Sequence, residues 1–215
     1  MVRRFDSPDT ATLIEAETVE MLRIRGGPEK LLFSDPRPHL SGKTLAEVAD
    51  AMGMSAPRAV REILRDGNAG VMNLDLYDHE NTRVLAQEPW MMTCTDGRTP
   101  SPDQTATHPR AFGAFPRKMR LFVFEDPVLT AEFAIRSFTG LAADFFKLPD
   151  RGYLREGWIA DVTILDPDRY HDPATFQEPQ LYAEGVVHVL LNGAFALRDG
   201  ESTGVLAGVP IPRPW

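Results

Sequence analysis

The sequence predicts an α/β fold that ends in a small β module, and three observations carry that prediction. Short apolar runs alternate with amphipathic stretches of helical spacing through the first two thirds of the chain. Gly, Pro, Asn and Asp separate them as turn signals. From about Pro149 the helical spacing stops, and apolar runs between glycines take over.

In chain order, Ser7 stands as an N-cap to a helix over 7–21, and 21–25 alternates like a short strand stopped by Gly26-Gly27. Thr44-Leu45-Ala46-Glu47 has capping-box spacing, with Leu45, Val48, Ala49 and Met52 on one helical face. Ser55 opens a further helix through Ala59, Val60, Ile63 and Leu64, closed by Gly67. A second strand is predicted over 70–74, and Asp78 caps a helix through Val84 and Leu85 that Pro89 ends. A third strand is predicted over 90–94, stopped by Asp96-Gly97, giving the rhythm of parallel βα units. A long loop rich in Pro, Thr, Asp and Gly then spans 96–117. Helices are predicted over 130–138 and 140–146, and strands over 161–165 and 186–191. Asn192-Gly193 is a hairpin signal leading into 194–197. Two domains follow, 1–148 and 149–215.

Composition excludes several functions. Of 215 residues 43% are hydrophobic and 25% charged, a globular balance. The formal charge is −8 and the basic residues are scattered (Arg117, Lys118 and Arg120 lie nearest together), so no nucleic-acid partner is expected. No apolar run approaches the roughly 20 residues of a membrane span. The arginines at 3 and 4 are followed by Asp6, Ser7, Pro8 and Asp9 rather than by an apolar segment. One cysteine excludes an intrachain disulfide framework, and the expected location is cytoplasmic.

Few residues carry chemistry. Asp96 follows an apolar run and precedes a glycine, which would bring its carboxylate out at the C-terminal end of a strand, the face where parallel barrels place active sites. Asp-Gly is also a common turn pair, and taken locally the turn is the simpler reading. Arg110, in His108-Pro109-Arg110, offers a planar fork of donors suited to a carboxylate, but equally suits a surface arginine. His188 reads as structural, and no His-x-His, His-Glu-x-x-His or Cys-x-x-Cys is present to mark zinc locally. Cys94 has no basic neighbour in sequence to activate it.

Taken together, several segments resemble one family. Thr95-Asp96-Gly97, followed by His108-Pro109-Arg110-Ala111-Phe112-Gly113-Ala114-Phe115-Pro116-Arg117, resembles the end of the catalytic barrel in the D-aminoacylase (N-acyl-D-amino-acid deacylase) family of amidohydrolases. Phe138-Thr139-Gly140-Leu141-Ala142-Ala143, Asp150-Arg151-Gly152 and Ala160-Asp161-Val162 are similar to that family's crossing into a β-sandwich. Leu191-Asn192-Gly193 and Asp199-Gly200-Glu201-Ser202-Thr203-Gly204 continue the match, and Leu40-Ser41-Gly42-Lys43-Thr44-Leu45 matches more loosely upstream.

The resemblance implies the C-terminal part of a (β/α)8 amidohydrolase barrel followed by a small β-sandwich. It also implies zinc-dependent hydrolysis of the amide of an N-acyl-D-amino acid to a carboxylate and a D-amino acid. Asp96 would be general base and metal-site residue, and Arg110 with His108 would bind the substrate's carboxylate. The family's other metal ligands have no matching positions in this chain. A barrel takes about 250 residues before any appended module, more than this chain holds. Part of a barrel exposes strand edges, so a separate N-terminal polypeptide or self-association is expected, with no activity from the chain alone. The alternative is a non-catalytic remnant or interaction module.

Overall fold

The computed structural model describes residues 7–100 and 108–211. They form two units, one from Met1–Asp78 and Thr99–His108, the other from His79–Arg98 and Pro109–Trp215.

The first unit opens with α1, Pro8–Ile24. Its N-cap, Ser7, makes no side-chain capping bond, and proline fills the first turn instead. The strand expected over 21–25 is the last turn of this helix. Gly26 and Gly27 both take positive φ, and their amides donate back to Arg23 O and Leu22 O at 3.3 and 2.8 Å. That pair of reversed bonds is a Schellman cap, so the two glycines end a helix rather than a strand. A 3₁₀ turn, Pro28–Lys30, leads into β1, Leu31–Phe33.

Thr44 then caps α2, Leu45–Ala51, with both halves of the predicted capping box formed with Glu47. Next come α3, Ala56–Arg65, and β2, Val71–Asn73. β2 pairs antiparallel with β1, Leu32 opposite Met72. The core joins Leu22, Phe33, Leu40, Leu45, Val48, Ala59 and Ile63. Asp35 is buried beside it and accepts bonds from Arg37 N, Nε and Nη2 and from Gly70 N.

The second unit contains α4, His79–Ala86, then α5, Arg110–Met119, which continues into a π-helical turn, Arg120–Glu125. Two more helices follow, α6 (Ala131–Phe138), capped by the Thr130 side chain, and α7 (Gly140–Phe146). The core brings together Ala86, Met119, Phe122, Leu129 and Ala134. Finally β3 (Val162–Leu165), β4 (Val186–Leu191), β5 (Ala194–Arg198) and β6 (Glu201–Ser202) form one antiparallel sheet in chain order. The Asn192-Gly193 turn joins β4 to β5 with both residues at positive φ, as a type I′ hairpin requires.

Three further expectations are corrected. Residues 90–94 form no strand: they are a turn and irregular chain, and Thr93 N donates to Ser137 O on α6 at 2.9 Å. A strand needs a neighbouring strand for its ladder, and none lies alongside among the described residues. Both sheets are antiparallel, so the parallel pairing expected of βα units is not formed among the described residues. The loop expected over 96–117 also gives way to helix at Arg110. Gly113, Pro116 and Met119 form the buried face of α5, and that packing overrides the glycine and proline signals.

Candidate active site

The stretch that ends in Asp96 runs along α5. Asp96 sits at φ +45°, in the left-handed region, and its amide donates to Cys94 Sγ at 3.3 Å. Gly97 N donates to Thr95 Oγ1 at 3.1 Å. A side chain at 97 would come within 3.2 Å of Ala111 Cα, so glycine lets this segment lie against the first turn of the helix. There Arg110, the first residue of α5, places Nη2 3.0 Å from Asp96 Oδ2.

The structure thus brings together two of the residues singled out in the sequence, fourteen positions apart. Both are solvent-accessible: the Asp96 side chain is 84% exposed and that of Arg110 42%. The carboxylate can accept a proton, and the guanidinium offers a planar donor fork. His108 is half-buried and belongs to the first unit.

Residues that the sequence reading passed over hold this segment from behind. Lys118 Nζ donates to Thr93 Oγ1 at 2.8 Å and to Ser137 Oγ at 2.9 Å, and the two hydroxyls lie 2.8 Å apart. Burial pushes the Lys118 ammonium below the usual lysine range. Arg120 Nε and Arg117 Nη1 converge on the buried Asp172 carboxylate at 2.7 and 3.3 Å, which fixes the C-terminal half of the helix. Only knowledge that 110–119 is helical would have singled out Lys118, because it lies two turns from Arg110 on the same element.

The metal implied by the resemblance finds no complete ligand set among the described residues. Among the described residues no group of three or more His, Cys, Asp or Glu could hold a metal ion, and the Asp96 carboxylate faces a cation rather than further ligands.

Comparison with known proteins gives the family. Residues 40–196 match the model of the Amidohydrolase family. The chain is 33% identical over 186 residues to an N-acyl-D-glutamate deacylase of Alcaligenes xylosoxydans xylosoxydans, covering 86% of this chain and 36% of the relative. The chain belongs to the D-aminoacylase family of amidohydrolases. A crystal structure of D-aminoacylase superposes with a TM-score of 0.74 at 32% identity, covering 83% of this chain and 36% of that one. The N-acyl-D-glutamate deacylase of Bordetella bronchiseptica, solved with zinc and a phosphonate mimic of the tetrahedral intermediate, superposes at 0.72 with 32% identity, covering 86% and 39%. The described residues are therefore an α/β fragment of the D-aminoacylase fold, and the chain spans just over a third of the length of the relatives it matches.

Proposed function

We propose that this chain supplies the C-terminal part of a metal-dependent N-acyl-D-amino-acid deacylase, the last barrel units and the β-sandwich module. In this reading it contributes a general base, Asp96, and a substrate-carboxylate receptor, Arg110, with His108 beside it in sequence. The observation that carries the reading is the 3.0 Å approach of Arg110 Nη2 to Asp96 Oδ2, in a chain whose relatives include N-acyl-D-glutamate deacylases.

In the reaction the guanidinium binds the α-carboxylate and fixes the amide relative to Asp96. The Asp96 carboxylate takes a proton from the attacking water and returns it to the amide nitrogen, which leaves as the amine while the acyl group leaves as a carboxylate. The metal ligands, zinc ligands by analogy with the Bordetella protein, would lie outside these residues, on a further polypeptide segment. No helix among the described residues is long and apolar enough to cross a membrane, and a single cysteine fits the reducing cytoplasm.

The test combines the chain with the N-terminal two thirds of a D-aminoacylase relative and follows release of D-amino acid from N-acetyl-D-glutamate and neutral N-acetyl-D-amino acids. Wild-type chain should restore hydrolysis, and Asp96→Asn should lower the rate about 10²- to 10⁴-fold, the contribution of a positioned general base. An unchanged rate in Asp96→Asn would sink the assignment. A second reading, a non-catalytic interaction module, draws on the missing three-ligand cluster among the described residues. It is favoured if the assembly holds no stoichiometric zinc and remains inactive.

A further inference from the structure

We infer that Lys118 is a positioning residue for Asp96, the rear half of a two-point clamp by which α5 holds the segment carrying that carboxylate. Its contribution to the reaction rests on the reading of Asp96 as general base; the clamp itself rests on geometry alone.

Three contacts lie in register along the helix. Thr93 meets Lys118 near its C-terminal end, while Asp96 meets Arg110 and Gly97 meets Ala111 at its first turn. The segment therefore runs antiparallel to α5. Eight residues of helix rise about 12 Å, and three residues of extended chain span about 10 Å. The two grips match the length of the segment between them.

The hydrogen positions follow by elimination. Ser137 has one hydroxyl proton, and it goes to Ala134 O at 2.6 Å. Thr93 must then donate in the 2.8 Å contact with Ser137, and Lys118 donates to both oxygens. Lys118 has no carboxylate partner among the described residues. A cation drawn out of water onto two hydroxyls is costly to bury. The hydroxyls already bond to one another, so packing alone would be served by an apolar side chain such as methionine. What the lysine adds is a tether between α5, α6 and the residues that lead to Asp96. The depressed ammonium fits that placement, since burial works against the charged form.

The experiment compares wild-type chain with Lys118→Met by amide hydrogen exchange. Amides of residues 93–97 should exchange about tenfold faster in the variant, with those of β4 and α6 unchanged, because a lost tether opens the segment locally. Thr93→Val should reproduce the effect and Thr93→Ser should not, and this pair decides the matter if Lys118→Met does not fold. In the complemented enzyme Lys118→Met should lower kcat about 10- to 100-fold with KM within about twofold, since displacing the base leaves Arg110 in place on α5 to bind the substrate carboxylate. Unchanged exchange at 93–97, or equal acceleration throughout the second unit, overturns the clamp. An unchanged kcat overturns its catalytic consequence. A wild-type assembly without deacylase activity overturns the proposed function alone, and the exchange data still decide the clamp.

Discussion

Asp35 shows how much one side chain holds in the first unit. Its carboxylate takes two bonds from the Arg37 guanidinium and one each from the backbone amides of Arg37 and Gly70, so it ties the chain after β1 to the chain before β2. The Arg37 hydrogen bonds are the largest cause of its lowered pKa, about 2 in the fold. A carboxyl whose folded pKa lies below its unfolded value adds stability that is complete above the unfolded value, near 4, and is lost as pH falls toward 2. The shift corresponds to about 2 kcal/mol at neutral pH. Asp35→Asn should lower stability by about that amount at pH 7. The difference from wild type should vanish below about pH 2, as urea unfolding followed across pH would show. At the same scale, resemblance marked Asp96 and Arg110 as candidates, and the structure brings the two side chains together, whereas nothing in the sequence marked Lys118, Thr93 and Ser137. Their roles depend on which helix faces which loop, and one sequence does not state that pairing.

At the scale of elements, legibility followed local chemistry. The capping box at Thr44 and Glu47 formed as read, because it involves only neighbours three positions apart. Thr44→Ala should cost about 1 kcal/mol in unfolding free energy, while Thr44→Ser should stay near wild type. Equal stability of all three would show that packing alone holds α2. The β4–β5 hairpin was equally local, since Asn192-Gly193 sets its own turn. The errors fell where one local signal has two meanings. Gly26-Gly27 ends either a strand or a helix, and only the carbonyls of Leu22 and Arg23 decide between them. The apolar run at 90–94 has the composition of a strand but lacks a neighbouring strand among the described residues. At 110–119, burial of Gly113, Pro116 and Met119 sustains a helix that propensity argues against.

At the scale of the whole molecule, each unit has its own buried cluster, yet large apolar side chains remain uncovered. Phe145 is 66% exposed, Tyr182 81% and Leu206 99%. On the proposed reading, further protein covers such surface. On that reading, in size-exclusion chromatography the chain should elute above its monomer position at micromolar concentration and shift into a defined complex with the N-terminal part of a D-aminoacylase relative. A compact monomer with cooperative unfolding, indifferent to that polypeptide, would contradict this. The exposed bridge between Arg110 and Asp96 also shapes how a ligand would enter. An ion pair so open to water is weak and easily exchanged. On the proposed reading, a carboxylate arriving at the guanidinium swaps one anion for another at little cost. The same swap releases the aspartate, so the base is unlocked by the molecule whose hydrolysis it is meant to assist.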